Sequence, residues 1–221
     1  MKYEIKGENL PVLIVHLDKG EKIITEQGAM SWMSDGIDMS TSAKKGLLAK
    51  MFTSESIFRN EFTAVKDNQF IALSSSFPGN ILAFDVKEKS IIAQKKAFLA
   101  SSDSVNIDIH FQKKLGVGLF GGEGFIMQRF SGEGNVFLEI DGSLFVYDLH
   151  ENESLTLDTG YLAATEDTVK MDIVTVKGVK NALFGGEGLF HTKVTGPGKV
   201  WIQSMPLAQL EALFANTNNN K

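Results

Sequence analysis

The stretch Leu119-Phe120-Gly121-Gly122-Glu123-Gly124-Phe125-Ile126 returns 64 residues later as Leu183-Phe184-Gly185-Gly186-Glu187-Gly188-Leu189-Phe190. The same offset carries Lys113 onto Lys177, Phe130 onto Val194, Gly132 and Gly134 onto Gly196 and Gly198, and Val136-Phe137-Leu138 onto Val200-Trp201-Ile202 without a gap. A more worn copy stands upstream as Met51-Phe52-Thr53-Ser54-Glu55-Ser56-Ile57-Phe58, with Lys45 above Lys113 and Phe62 above Phe130. Thr and Ser replace the glycine pair there. Ahead of each copy sits a related segment: Phe98-Leu99-Ala100 resembles Tyr161-Leu162-Ala163, and Met30-Ser31-Trp32 holds the first position. Self-similarity at a fixed period marks a repeat architecture in which each unit buries its apolar face against its neighbours. The expectation is three units of about 65 residues, spanning roughly 1–90, 91–155 and 156–205.

The segments between these blocks set the fold class. Val12-Leu13-Ile14-Val15, Phe70-Ile71-Ala72-Leu73, Val136-Phe137-Leu138-Glu139-Ile140 and Val200-Trp201-Ile202-Gln203 are short apolar or alternating runs, the pattern of strands. Turn chemistry separates them at Asp35-Gly36, Phe77-Pro78-Gly79-Asn80, Asp141-Gly142 and Gly196-Pro197-Gly198. The chain is therefore expected to be all-β, a single domain over 1–214. Its three pseudo-symmetric repeats would close around an axis or stack as a double-stranded β-helix-type body, hiding strand edges either way. Three repeats without evident caps favour closure. One helix is expected, over 206–214: Ser204 can cap it, Pro206 suits its first turn, and Leu207, Leu210 and Phe214 share a face. The tail 215–221, Asn216-Thr217-Asn218-Asn219-Asn220-Lys221 and its neighbour, has nothing to bury and is expected to be disordered.

Composition narrows the partners. The 221 residues are 43% apolar and 22% charged, a globular balance, and 16 Phe against 3 Tyr point to rings packed in a dry core. A net charge of −5 offers no surplus to neutralise a phosphate backbone, which disfavours nucleic acid. The absence of cysteine removes disulfides, thiolate catalysis and zinc–cysteine sites. Neither the start, Met1-Lys2-Tyr3-Glu4-Ile5-Lys6, nor any later stretch has the apolar run of a leader or a spanning helix. A soluble cytoplasmic protein is expected.

The repeated motif places Lys45, Lys113 and Lys177 with Phe52, Phe120 and Phe184 and with Glu55, Glu123 and Glu187. The leading reading is structural: glycines permit unusual backbone angles, the Glu accepts turn amides, and the Phe anchors the turn. The alternative brings the three carboxylates together, where repulsion would recruit a cation. Catalytic sites are normally asymmetric, so three near-equivalent groups suit an ion or a symmetric contact better than an enzyme, and no cofactor is expected. Gly116-Val117-Gly118-Leu119-Phe120-Gly121 satisfies a dinucleotide-binding spacing, but no helix follows to receive a pyrophosphate. His16, His110, His150 and His191 occupy no equivalent positions and lack metal-ligand spacing. Lys44-Lys45-Gly46-Leu47-Leu48-Ala49-Lys50-Met51-Phe52 mingles basic and apolar residues, as segments that touch membrane surfaces do; a solvated loop with a buried anchor is the leading reading.

The Phe-Gly-Gly-Glu-Gly blocks, the Phe77-Pro78-Gly79-Asn80-Ile81 turn and Asp158-Thr159-Gly160-Tyr161-Leu162-Ala163-Ala164 together resemble a bacterial member of the altered-inheritance-of-mitochondria protein twenty-four family. The resemblance covers nearly all of residues 1–214. It implies a β fold like that of the tryptophan RNA-binding attenuation proteins, with three related units and no established catalytic residues. Eukaryotic relatives are associated with mitochondrial membrane organisation, and the RNA-binding echo is an analogy of fold alone. The expected role is a non-enzymatic binding or scaffold protein that takes a protein partner or self-associates. A ligand, ion or enzymatic site near a repeat interface and a peripheral membrane role are the alternatives.

Overall fold

Val12-Leu13-Ile14-Val15-His16-Leu17 forms a strand in which Leu13, Val15 and Leu17 are buried and His16 is exposed, the alternation that a half-covered sheet imposes. Asn135–Asp141 differs in burying Val136, Phe137, Leu138 and Ile140 on both faces, as its nearly continuous apolar run requires. The computed structural model describes residues 1–43, 58–113, 124–175 and 190–206, and almost all of its regular structure is strand. After β1 (Lys2–Lys6) come β2 (Val12–Leu17), β3 (Lys22–Thr25), β4 (Met30–Met33), β5 (Ile37–Ala43), β6 (Phe58–Ala64) and β7 (Gln69–Ser74). The next six are β8 (Gly79–Asp85), β9 (Ile91–Gln94), β10 (Phe98–Ser102), β11 (Val105–Lys113), β12 (Phe125–Gly132) and β13 (Asn135–Asp141). The last six are β14 (Leu144–Leu149), β15 (Ser154–Asp158), β16 (Leu162–Glu166), β17 (Lys170–Thr175), β18 (Phe190–Thr195) and β19 (Gly198–Gln203). Single helical turns at Lys95–Ala97 and Thr159–Tyr161 precede β10 and β16.

Strand neighbours recur along the chain. β2, β8 and β14 lie beside β7, β13 and β19; β4, β10 and β16 flank those same three on the other side. β5, β11 and β17 pair with β6, β12 and β18, whose other neighbours are β3, β9 and β15. β10 also joins β3, and β16 joins β9, so each six-stranded sheet links strands from successive sets. β10 and β16 begin 64 residues apart, as do the two helical turns, and β4 begins 68 residues before β10. Each of these three strands carries a one-residue irregularity against its partner, between Met30 and Trp32, Phe98 and Ala100, and Leu162 and Ala164.

The ladders refine one sequence alignment. Phe98 faces Leu138 as Leu162 faces Ile202, so Phe98 stands over Leu162 rather than Tyr161. A shared Leu-Ala pair suggests the neighbouring frame, but in a strand that slip would turn every side chain to the opposite face.

The chain divides into two compact units. The first takes residues 1–85, 98–105 and 133–139, with sheets of order β1-β2-β7-β4 and β5-β6-β3-β10-β13-β8. Leu13, Val15, Leu17, Phe62, Leu73 and Phe137 lie at its core, and Tyr3 of β1 meets the Phe137 ring edge-on at 4.9 Å. The second takes residues 86–97, 106–132 and 140–221, with sheets β11-β12-β9-β16-β19-β14 and β15-β18-β17 around Ile92, Phe125, Met127, Leu162, Val194 and Val200. The helix expected over 206–214 lies, beyond Pro206, outside the described residues, as does the tail over 215–221.

Candidate functional site

Equivalent corners use equivalent chemistry. Gly134 and Gly198, one repeat period apart, have φ of +113° and +134°, in the region that favours glycine. A Cβ on Gly134 would stand 2.6 Å from Ser102 Oγ, and one on Gly198 would stand 2.6 Å from Thr168 Oγ1. Beside each glycine a backbone amide is held by the preceding β10 or β16 edge: Asn135 N donates to Ser102 Oγ and Lys199 N to Glu166 Oε2, both at 3.1 Å. The corner between β6 and β7 has Asn68 at φ +57°, the residue type besides glycine that best tolerates that region. Gly134 and Gly198 thus shape backbone corners, and their polar neighbours satisfy the amides exposed there.

The motif residues fall elsewhere. Lys45, Phe52 and Glu55, Phe120 and Glu123, and Lys177, Phe184 and Glu187 lie outside the described residues, in the stretches that connect β5 to β6, β11 to β12 and β17 to β18. The basic-apolar stretch 44–52 lies there too. Lys113 is described, at the exposed end of β11. His16, His110 and His150 are exposed and His191 half-buried; His16 Nε2 stands 3.5 Å from Glu4 Oε1 on the adjacent strand. Among the described residues no three His, Asp or Glu gather as a metal site, and no helix is long and apolar enough to cross a membrane.

Two half-buried charged side chains were not singled out by sequence. Glu139, on β13, reaches the segment after β7, where its carboxylate accepts Ser76 N at 2.7 Å and Ser75 Oγ at 3.2 Å. Burial pushes its carboxyl above the ordinary value, and the hydrogen bonds from Ser76 and Ser75 only partly oppose this. Gln203 occupies the corresponding place on β19, its Oε1 accepting Asp141 N at 3.2 Å and its Nε2 donating to Gly160 O at 3.0 Å. Arg59, on β6, lays its guanidinium 4.8 Å over the Phe98 ring, and burial depresses its pKa while the charge of Glu26 raises it. Glu139 serves the segment after β7 and Arg59 covers the Phe98 ring, and both act in holding the fold.

The outer edge of β14 is different. Phe145, Val146 and Tyr147 are 50%, 49% and 45% exposed in succession, so both faces of the strand show apolar side chains to solvent. β19 pairs with its inner edge from Leu144↔Gln203 to Leu149↔Gly198, placing Asp148 across from Lys199. No described strand pairs with its other edge. On the corresponding strand β2, β1 occupies that outer position in antiparallel register from Lys2↔His16 to Lys6↔Val12. The third such strand, β8, ends a sheet too, but its Ile81 is buried and Leu82, Ala83 and Phe84 are half-buried. Sequence reasoning assigned aromatic residues to the core, as holds for Phe62, Phe98, Phe125, Phe130 and Phe137, and missed Phe145 and Tyr147. The available signal is the unbroken Leu144-Phe145-Val146-Tyr147 run, which no lysine or proline interrupts as edge protection would require.

Antiparallel sheets with recurrent corners, and an edge of β14 beside which no described strand lies, define an all-β protein with exposed apolar residues on one sheet edge. The family described as Mitochondrial biogenesis AIM24 matches residues 3–205, and the chain belongs to that family. An uncharacterized protein of Streptococcus pyogenes serotype M6 is 28% identical over 230 residues, covering 98% of this chain and 89% of that protein. The crystal structure of a Streptococcus pyogenes protein is similar in fold, with a TM-score of 0.80 at 22% identity over 98% of this chain and 99% of that one.

Proposed function

We propose that this chain is a non-enzymatic binding or scaffold protein, built on a six-strand module used three times, that takes a protein partner along the outer edge of β14. The single observation behind this reading is the run of exposed Phe145, Val146 and Tyr147 on a strand whose counterpart, β2, already carries an added strand. An edge with free backbone donors and acceptors binds extended segments by strand addition, with alternate side chains giving selectivity. Repetition supports the scaffold part of the reading, because repeated polar groups such as Glu139 and Gln203 serve turns.

The test uses a generic strand probe, a peptide with the sequence of residues 1–8, whose Lys2–Lys6 segment pairs with β2 in the chain itself. Titrated into the full protein, it is expected to shift the amide resonances of residues 144–149 saturably, and the F145S/Y147S variant should lose that response while keeping its circular dichroism. Absence of any saturable change at β14 would overturn the binding role assigned to this edge.

A further inference from the structure

We infer that the occupant of the β14 edge is a second copy of this chain, joined β14 to β14 in antiparallel register about a twofold axis through Val146. This deepens the binding role proposed for that edge and rests on it. Twofold symmetry restricts the register to axes that pass through a residue. In a regular antiparallel ladder, directly opposed residues either both turn their backbone groups toward the partner or both turn them away. Two copies of one strand related by a twofold axis therefore place the axis through a residue, never between two.

With the axis through Val146, Phe145 of each copy faces Tyr147 of the other, and Leu144 faces Asp148. Two aromatic cross-strand pairs form, and the two Asp148 carboxylates are kept apart, whereas like charges placed opposite each other would oppose pairing. An axis at Phe145 or Tyr147 sets one aromatic ring against its own copy in place of two aromatic pairs, and an axis at Leu144 or Asp148 shortens the overlap, the latter setting Asp148 against itself. Asp148 already stands across from Lys199 within its own sheet, so its charge is partly offset before a second copy arrives. The contact is isologous and closes at two copies, because the other side of each β14 is occupied by β19. The precedent is intramolecular: β1 adds to the corresponding strand β2 in the same antiparallel sense. Lys2 and Lys6, both exposed on β1, leave that outermost edge guarded by charge.

A six-residue strand edge buries far less than the roughly 800 Å² per partner of a standard interface. Association is therefore expected in the micromolar range or weaker, as a concentration-dependent equilibrium. Sedimentation velocity of the full chain from roughly 1 μM to roughly 1 mM, the range where a contact of this size forms, should show monomer giving way to dimer. The Val146→Lys variant sets two cations face to face on the axis and should weaken association about tenfold or more with unchanged circular dichroism.

The cysteine-free sequence supplies a second, independent readout. Opposed residues of an antiparallel pair lie about 4.5–5.5 Å apart at Cα, within disulfide reach. Under mild oxidation Val146→Cys should form a covalent dimer well before Glu88→Cys, an exposed control position after β8. A chain that stays monomeric across the range, with V146C cross-linking no faster than E88C, overturns self-pairing. In that case a saturable response of residues 144–149 to the residue 1–8 peptide would show that the edge still takes a strand. Failure of both would remove the binding role as well.

Discussion

At Glu139 a single side chain joins burial, backbone accounting and pH. The carboxylate serves Ser76 N, Ser75 Oγ and Ser76 Oγ, yet burial lifts its pKa above the ordinary carboxylate value. A carboxyl with a raised folded pKa favours the fold in its neutral form. Its contribution is complete below the unfolded pKa and is lost as pH rises through the folded one. The amide at Gln203 shows what an uncharged acceptor does in the corresponding place. Glu139→Gln should therefore melt like the parent near pH 4 and above it near pH 7. Glu139→Ala removes the acceptor of Ser76 N and should cost about 1–3 kcal/mol at either pH. Thermal melts of the three proteins at the two pH values decide it, and a constant gap between Glu and Gln would mean that this carboxyl does not titrate in the window. Arg59 differs in kind: its charge persists at any ordinary pH, and its placement over Phe98 rewards a flat cation, so lysine is a poor replacement there.

Hairpin corners and strand pairs decide how much of the molecule the sequence discloses. The four strand segments read from apolar runs all lie in strands, β2, β7, β13 and β19, because short runs rich in β-branched and aromatic residues and bounded by turn chemistry favour strand over helix. Gly134 and Gly198 were legible for another reason: a positive φ beside a packed hydroxyl admits little except glycine, so the corner leaves its mark on composition. The one-residue irregularities at the start of β4, β10 and β16 leave no such mark, which is why Phe98 aligns by eye with Tyr161 and by hydrogen bonding with Leu162. Half-buried Glu139 and exposed Phe145 escaped for a shared reason. Residue type carries only an average tendency to burial, and tertiary neighbours set each exception. At the corners the expectation is quantitative. Gly134→Ala and Gly198→Ala should each lower stability by about 1–3 kcal/mol through positive φ and the clash with Ser102 or Thr168. Asn68→Gly, already at positive φ, should change it by less than about 1 kcal/mol. Denaturant melts compare the three, and an innocuous Gly198→Ala would show that its corner relaxes freely.

Across the whole chain, strand edges are where a β protein of this family must choose between closure, protection and association. Each of β2, β8 and β14 has one edge occupied, by β7, β13 and β19 respectively, and the three diverge in what happens to the other. β2 is covered by β1, β8 carries mostly buried or half-buried side chains, and β14 displays three exposed apolar residues in a row. If this divergence governs association, then stripping the cover from β2 should create a second adhesive edge. Deleting residues 1–7 removes five ladder pairs, the Tyr3–Phe137 ring contact and the ion pair between the amino terminus and Glu21 at 3.1 Å. The truncated protein should lose about 1–3 kcal/mol, mostly through the ring contact and cross-strand pairs, since an ion pair to the partly exposed Glu21 adds little. It should also associate beyond the dimer, because two adhesive edges on one chain allow growth that a single isologous contact does not. Sedimentation of the truncated protein carrying Val146→Lys separates the two edges: assemblies should fall back to dimers held by β2 alone. A truncated protein that stays at the parental association state would show that β1 serves stability without guarding an edge.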